Sequence, residues 1–443
     1  FKRVMILPHY RDPIHGFIEV SRQEQKIIDS SPFQRLRNIK QLATTYLVYH
    51  GAEHTRFGHS IGVMHLATRA FKAVTEKNPL LFREDPEENK VVTAWYLQIL
   101  RLIALTHDLG HAPFSHASEA LFAAGKEHED YTKDIIEQTE IADYINEIGE
   151  SFQRIYGEQY GITPQLLWKI YGEDPKNHIW DDDYIWPDFM FLKSFMDGEM
   201  DCDKMDYLLR DSHYCGVSYG TYDLERFIST LTVYKKPEEK ILQLAINSGG
   251  IQAFEEFVLA RYFMFIQVYF HKTRRYLDHL LVEALKEVLP EGRYPSTLEE
   301  YLALDDAEIY HKIRSARTTN ASKYRQREIM TCVRETSAHA DKNETNLFRM
   351  ICSAVKRELP EDAVFVDDAD KSAHKLQPIY WALNDDSGKE IKIIDKHTKD
   401  ARNIMEDSLI LGGIVKPISI HRLYVAKPYT GQAKEIIAQI SAY

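Results

Sequence analysis

The run Thr106-His107-Asp108-Leu109-Gly110-His111-Ala112-Pro113-Phe114-Ser115-His116 gathers three imidazoles and a carboxylate. Immediately before it, Leu97, Ile99, Leu100, Leu102, Ile103, Ala104 and Leu105 form an apolar segment. The pattern predicts a buried helix that delivers polar ligands at its C-terminal end, where Gly110 and Pro113 break it. Burying imidazole and carboxylate together costs free energy unless something compensates. A divalent cation is the simplest compensation.

Outward from this run the chain reads as mostly helical from Ser21 to about Leu289. Ser21-Arg22-Gln23-Glu24 predicts a capping box, and Ile61–Val74 has helical spacing. The longest candidate helix runs from about Gly250 to Leu289, where Pro290 stops it. Residues 1–20 read as extended, with turn chemistry at Asp12-Pro13-Ile14-His15-Gly16. After residue 290 the texture changes. An acidic helix is expected over Ser296–Tyr310, and a basic stretch from Lys312 to Arg327 follows. Short strands are expected at Ala363–Val366, Ile379–Leu383, Ile391–Ile394 and Leu423–Ala426, and a terminal helix at Thr430–Tyr443. The fold expected is therefore mostly α: a helical core over residues 1–290 with a smaller C-terminal α+β appendage over 291–443, read as a regulatory or oligomerisation region.

Composition narrows the class. With 443 residues, 44% of them hydrophobic and 28% charged, the chain has the makeup of a water-soluble protein with a large core. No apolar run reaches membrane-spanning length, so no membrane partner is expected. The opening Phe1–Pro8 is too short for a signal peptide. The four cysteines form no CxxC pair, which fits a reducing compartment, and a cytoplasmic location is expected. The net charge of −12 argues against a general nucleic-acid binder.

Two further segments combine with His107-Asp108. His59 lies in His-Thr-Arg-Phe-Gly-His-Ser-Ile-Gly-Val (54–63), at the start of an amphipathic helix, and Asp203 lies in Asp-Cys-Asp-Lys-Met-Asp-Tyr-Leu-Leu-Arg-Asp (201–211). Together they make a set of two imidazoles and two carboxylates. Such mixed ligands suit a divalent Mn, Fe, Mg or Zn ion with positions left open for water and phosphate oxygen.

HxRFxHSxGV, HDLGHxPFSH and DxDKxDYxxRD, in this order, resemble the HD superfamily of metal-dependent phosphohydrolases. More narrowly the chain resembles the deoxynucleoside triphosphate (dNTP) triphosphohydrolases, including the dGTPase-like bacterial enzymes. Asp12-Pro13-Ile14-His15-Gly16 and Gln34-Arg35-Leu36-Arg37-Asn38-Ile39-Lys40-Gln41-Leu42 match that subfamily too, and the resemblance covers about residues 9–290. It implies that His59, His107, Asp108 and Asp203 bind the metal. It further implies that Arg56, Lys204, Tyr207 and Arg261 contact phosphates, that Asp211 and Tyr269 contact the sugar, and that Gln41 and Leu42 approach the base. A leaving alkoxide needs a proton. His116 is the main candidate donor, with Glu119 orienting it. His111 and His128 are expected to bind phosphate and tune the site, and the roles are exchangeable among the three. The chain departs from the family pattern at Phe265, where the mammalian member has a histidine near the substrate.

The activity implied is hydrolysis of a dNTP to deoxynucleoside and inorganic triphosphate. Regulated family members are homo-oligomers, tetramers in particular, with activating nucleotides at subunit contacts; a dimer is the other assembly expected. Asp29, Gln34 and Arg37 match one regulatory nucleotide site, and Asp223, Arg226, His271 and Lys272 lie near a second. The local reading of these residues is equally open: helix caps and solvated faces. Three other functions compete: a metal-dependent nuclease on single-stranded DNA, disfavoured by the acidic charge; a nucleotide sensor without turnover; and a nucleotide monophosphatase or cyclic-nucleotide phosphodiesterase, disfavoured by the Asp12–Gly16 and Lys40–Leu42 motifs.

Overall fold

The computed structural model describes residues 8–172, 186–235, 242–372, 374, 376 and 390–441. It is mostly helical, with small sheets. β1 (His9–Asp12) and β2 (Gly16–Glu19) pair as an antiparallel hairpin. Asp12 Oδ1 closes the turn by accepting from the Ile14 and His15 amides at 2.8 and 3.0 Å. α1 (Arg22–Asp29) opens on the expected capping box, Ser21 with Glu24, and α2 (Ser31–Arg35) follows.

The centre is a pair of long helices, α3 (Arg56–Lys77) and α4 (Pro86–Thr106), packed on each other. Asp85 caps α4 by accepting from the Glu88 amide, and Pro86 stands in its first turn. The helix ends at Thr106 with His107 as its C-cap, so the apolar segment does deliver the His-Asp pair at its C-terminal end. Ile99, Leu100, Leu102, Leu105, Val63, Met64 and Leu66 are wholly excluded from solvent. Each such side chain contributes about 1.5–3 kcal/mol of burial, which holds the two helix ends in a fixed relation. α5 (His128–Gln138) packs on α6 (Glu140–Tyr156) and α7 (Pro164–Tyr171); those two and α8 (Trp186–Ser194) pack on α4. α9 (Cys202–Cys215), capped by Asp201, lies on α3, and α10 (Leu224–Thr230) follows it.

The helical reading is interrupted twice before residue 290. β3 (Leu231–Lys235) and β4 (Leu242–Asn247) form an antiparallel hairpin that the sequence reading missed. The expected single helix from Gly250 to Leu289 is α11 (Ile251–Met264), a π-helical stretch at Phe265–Tyr269, a break at Phe270–His271, and α12 (Lys272–Val288). His271 caps α12 by accepting from the Thr273 amide. Apolar spacing does not register a π turn, because it does not show which carbonyl each amide reaches.

Beyond residue 290, the expected acidic helix is two, α13 (Leu298–Leu302) and α14 (Asp306–Ser315), followed by α15 (Thr319–Gln326). β5 (Thr331–Glu335), β6 (Val364–Lys371) and β9 (Ile418–Val425) form an antiparallel sheet in the order β5-β9-β6. α16 (Lys342–Glu358) and α19 (Thr430–Ser441) share its apolar core. β7 (Lys392–Ile394) and β8 (Ala401–Asn403) extend the first hairpin as β3-β4-β7-β8, with β7 parallel to β4. α17 (Ile404–Asp407) and α18 (Leu409–Gly413) follow. The strand expected at Ile379–Leu383 lies outside the described residues. The C-terminal part is built into the core: Ala112, Phe114, Phe122 and Tyr131 share one apolar cluster with Tyr294, Tyr301, Ile309 and Tyr324. Among the described residues no helix is long and apolar enough to cross a membrane.

Candidate metal centre and its cavity

α3, the end of α4 and the first turn of α9 converge, and each brings a candidate ligand. His59 Nε2 lies 3.0 Å from Asp203 Oδ1. His107 Nε2 lies 3.9 Å from the same oxygen and 3.3 Å from Asp108 Oδ1. His59, His107 and Asp203 present ligand atoms that all fall within 4.8 Å of one another. Asp108 borders this set, with Oδ2 3.6 Å from His59 Nε2. The four ligands expected from the sequence are thus adjacent, on three separate elements.

The donor chemistry fits a divalent cation. His107 Nδ1 lies 2.8 Å from the Ala104 carbonyl, which only accepts, so this nitrogen carries the hydrogen. Its Nε2, with a lone pair, then faces the cluster, and that atom is buried with no hydrogen-bond partner. His59 is oriented the same way by Asp206, whose Oδ2 lies 2.8 Å from Nδ1. Burial opposes charge on His59, but the Asp203 and Asp206 carboxylates outweigh it and raise its pKa to about 10. Asp203 and Asp108 resist protonation despite their burial, held low by His107 and His59 in one case and by Arg56 and His107 in the other. A cation would take the place of the protons that these carboxylates draw onto the imidazoles.

Behind His59 lies a group of buried side chains to which the sequence assigned no role. Arg210 donates Nε and Nη2 to the two Asp206 oxygens at 2.7 and 2.9 Å, and Nη1 to Asp12 at 2.8 Å. His15 Nε2 lies 2.6 Å from Asp206 Oδ1. All four side chains are buried. A signal existed: Asp206 and Arg210 sit inside the 201–211 motif, four residues apart on one helix face, and Asp12 and His15 sit in the turn motif.

Beside the ligand set, Glu119 gathers the remaining histidines. Its Oε1 lies 3.0 Å from His111 Nδ1 and 3.3 Å from His128 Nδ1, and its Oε2 lies 2.9 Å from His116 Nδ1. His111 Nε2 reaches Asp108 Oδ1 at 3.1 Å. Burial and the Arg56 charge lower the His111 pKa to about 4, so this ring stays neutral. His111, Glu119 and His128 also come close enough to resemble ion ligands. However, the His111 and His128 rings stack at 4.2 Å with an interplanar angle of 14°. Imidazole lone pairs lie in the ring plane, and near-parallel planes share no common point. Through its two oxygens Glu119 joins His111 to His116, whose side chain is 66% exposed.

A cavity of about 700 Å³ opens from the ligand set. Gln41, Leu42, Arg56, His116, Asp203, Lys204, Tyr207, Asp211, Arg261 and Tyr269 all line it, which unites the expected substrate contacts. Arg56 Nη1 donates to Asp108 at 2.6 Å and its Nε to Ser115 Oγ at 2.8 Å, fixing the guanidinium at the cavity floor. Lys204 pairs with Asp201 and donates to the Gly198 carbonyl at 3.0 Å. Asp211 accepts from the Tyr269 hydroxyl at 2.6 Å and lies 2.8 Å from His54 Nε2. Gln41 Oε1 is buried without a hydrogen-bond partner. Phe265, on the π turn, lies under the Arg261 guanidinium at 5.4 Å.

The residues matched to regulatory sites stand apart from this cavity. Arg37 donates to Gln34 Oε1 at 2.7 Å and stacks over Phe57 at 3.5 Å, and Asp29 is exposed nearby on α1. Asp223 caps α10, accepting from the Arg226 amide at 2.9 Å, while the Arg226 guanidinium reaches the Gly249 carbonyl at 2.6 Å. Lys272 is exposed beside His271.

Comparison with known proteins accords with this geometry. The chain is 33% identical over 321 residues to the uncharacterized protein YwfO of Bacillus subtilis, a stretch that covers 68% of this chain and 64% of that one. It is 30% identical over 322 residues to the human deoxynucleoside triphosphate triphosphohydrolase SAMHD1, covering 68% of this chain and 48% of that one. The chain thus spans less than two thirds of the length of either relative. The crystal structure of a hypothetical protein from Aquifex aeolicus superposes with a TM-score of 0.76 at 29% identity, covering 98% of this chain and all of that one. The HD domain family matches residues 56–164, and the HD associated region matches residues 222–373. The chain therefore carries an HD domain followed by an HD-associated region.

Proposed function

We propose that this chain is a metal-dependent phosphohydrolase that converts a deoxynucleoside triphosphate to the deoxynucleoside and inorganic triphosphate. The observation that carries the reading is one cavity lined by Asp203 of the metal-competent His59-His107-Asp203 set, by the cations Arg56, Lys204 and Arg261, and by the aromatic wall of Tyr207 and Tyr269. The similarity to a protein named as a dNTP triphosphohydrolase supports the same substrate class.

A divalent cation held by His59, His107 and Asp203, with Asp108 at its edge, would supply Lewis acidity toward a phosphoryl oxygen. The chain's own groups do the rest. Arg56, held through Nη1 by Asp108 and through Nε by Ser115, presents Nη2 to a phosphate oxygen without paying reorganisation at the moment of reaction. Lys204 and Arg261 neutralise the remainder of the triphosphate. His116, held by Glu119 at the open rim, donates the proton that the leaving 5′-oxygen needs. Tyr269, tethered to Asp211, stands against the sugar, where a 2′-hydroxyl would find no room and no partner. Gln41 Oε1 is an unused acceptor for an amino or imino group of the base.

In this reading the regulatory nucleotides fall at the Asp29-Gln34-Arg37 and Asp223-Arg226-His271-Lys272 surfaces, in a homo-oligomer. The test is product analysis. Purified chain with Mn²⁺ is given each dNTP singly, then all four together, with a single-stranded oligonucleotide in parallel. Deoxynucleoside plus intact triphosphate is the expected result. Activity only in the mixture signals activation. Mononucleotides from the oligonucleotide, with dNTPs untouched, replace the proposal by a nuclease.

A further inference from the structure

Phe114 and Ser115, just before His116, both hold left-handed backbone conformations, with φ of 60° and 52°. Neither is glycine, so something outside the turn must hold it. Asp306, in the first turn of α14, is buried and accepts from the Phe114 amide at 2.7 Å through Oδ1. Its Oδ2 accepts from the Lys40 amide at 2.9 Å. It does not cap its own helix, because Asp305 does so by accepting from the Glu308 amide. The two segments it joins are those that bring Gln41 and His116 to the cavity. Ser115 Oγ closes the arrangement by donating to the Lys40 carbonyl at 2.7 Å, and Arg56 Nε donates to the same hydroxyl. Neighbours on the same stretch reach the same loop: the Tyr301 hydroxyl donates to the Gly110 carbonyl at 2.6 Å, and the Tyr294 hydroxyl to the Pro113 carbonyl at 3.2 Å.

We propose that Asp306 is a positioning residue that clamps the Lys40–Gln41 and Phe114–His116 backbones together, so that the C-terminal region sets the spacing between the base-facing and leaving-group sides of the cavity. The clamp rests on the reading of this cavity as the active site only for its effect on turnover; its effect on the two backbones does not. Asp306 touches neither substrate nor metal ligand, and it acts through Ser115, Arg56 and His116. An aspartate suits this task because both of its oxygens accept. An asparagine of the same shape offers one acceptor and one donor, so one amide must lose its bond.

The test compares the full-length wild type with Asp306→Asn. Amide hydrogen exchange is followed in peptides covering 38–42 and 110–116, alongside kcat, KM and bound Mn²⁺. Exchange is expected to quicken about tenfold or more in one or both peptides while the α3 and α4 peptides stay as protected as before. The kcat is expected to fall about tenfold or more at similar KM and metal content. Unchanged exchange in both peptides overturns the proposal, and so does loosening spread evenly over α3 and α4. If the wild type releases no triphosphate from any dNTP, the proposed function falls, and the exchange comparison alone decides the clamp. Should Asp306→Asn not fold, Asp306→Ser carries the same comparison. If neither folds, Asp306 is a folding residue and the positioning role is overturned.

Discussion

Gly62 on α3 lies so close to Asp206 on α9 that a Cβ at position 62 would stand 2.1 Å from Asp206 Oδ1 and 2.5 Å from Arg210 Nη2. The absent side chain is what lets the Asp206–Arg210 pair lie behind His59. Gly62→Ala must push that pair aside, at a cost of about 1–3 kcal/mol for overpacking. It also tilts the carboxylate that orients the His59 ring. Affinity for Mn²⁺ should fall about 10–100-fold, the usual consequence of disturbing a ligand's outer partner. Denaturant unfolding and metal titration of the variant read the two effects separately. An unchanged metal affinity would show that Asp206 does not govern His59.

His107→Ala removes the one ligand nitrogen of the set that is buried without a partner. Bound metal, measured by mass spectrometry after dialysis, should drop, and turnover should fall by about 100-fold or more. Asp203→Asn should behave alike, since it removes the carboxylate whose Oδ1 faces both imidazoles, 3.0 Å from His59 Nε2 and 3.9 Å from His107 Nε2. Full metal content in both variants would move the centre elsewhere.

Arg56→Lys keeps the charge but loses the fork that spans Asp108 and Ser115. The expected outcome is a loss of kcat/KM of about 10–100-fold with bound metal retained. Steady-state kinetics on the best dNTP decide it. A lysine variant with wild-type kcat/KM would mean that Arg56 serves only as a counter-ion.

The candidate ligand set could be named before the fold because each of its residues stands in a motif with its own local logic. The apolar run into His107 foretold a buried helix end, and that end is where α4 stops. The group behind His59 was harder to read. Asp206 and Arg210 are one helical turn apart and could as well have been a surface pair; only the approach of Gly62 and His15 from other elements buries them. Asp306 carried no signal, since an acidic residue after Asp305 reads as helix-capping chemistry. Its role depends on two backbone amides far away in the chain, Lys40 and Phe114. The β3–β4 hairpin gave no signal within a mostly helical stretch for a related reason: strand pairing is a property of two segments, and apolar spacing scores only one.

Arg37 is held locally, by Gln34 and over Phe57, in a way that any surface arginine could be. The regulatory proposal gives it a second task. Arg37→Ala should weaken activation by added GTP or dNTP by about tenfold while bound metal stays unchanged. Activation curves for the variant and wild type, at a fixed substrate concentration, distinguish the two tasks. Superimposable curves would leave Arg37 as a surface stack and remove the first regulatory site.

Asp306 gives the fold a pH dependence of definite sign. Burial raises its pKa from 3.8 to about 7, against the lowering effect of the Lys40 and Phe114 amides and of the Lys40 and Arg35 charges. Between about pH 4 and 7 the folded chain therefore keeps a proton that the unfolded chain has lost. Stability from this group is full below the unfolded value and is lost as pH rises through the folded one. The loss amounts to roughly 1.4 kcal/mol for each pH unit by which the two values differ. Asp306→Asn cannot titrate, so the difference in unfolding free energy between wild type and variant should shift against the wild type from pH 5 to pH 8. Urea unfolding of both proteins at the two pH values measures it. The ionised carboxylate is also the form in which both oxygens accept, so the clamp on Phe114 and Lys40 is complete at the pH where Asp306 costs the fold most. A pH-independent difference would mean that Asp306 is ionised throughout this range, with the two amides outweighing its burial.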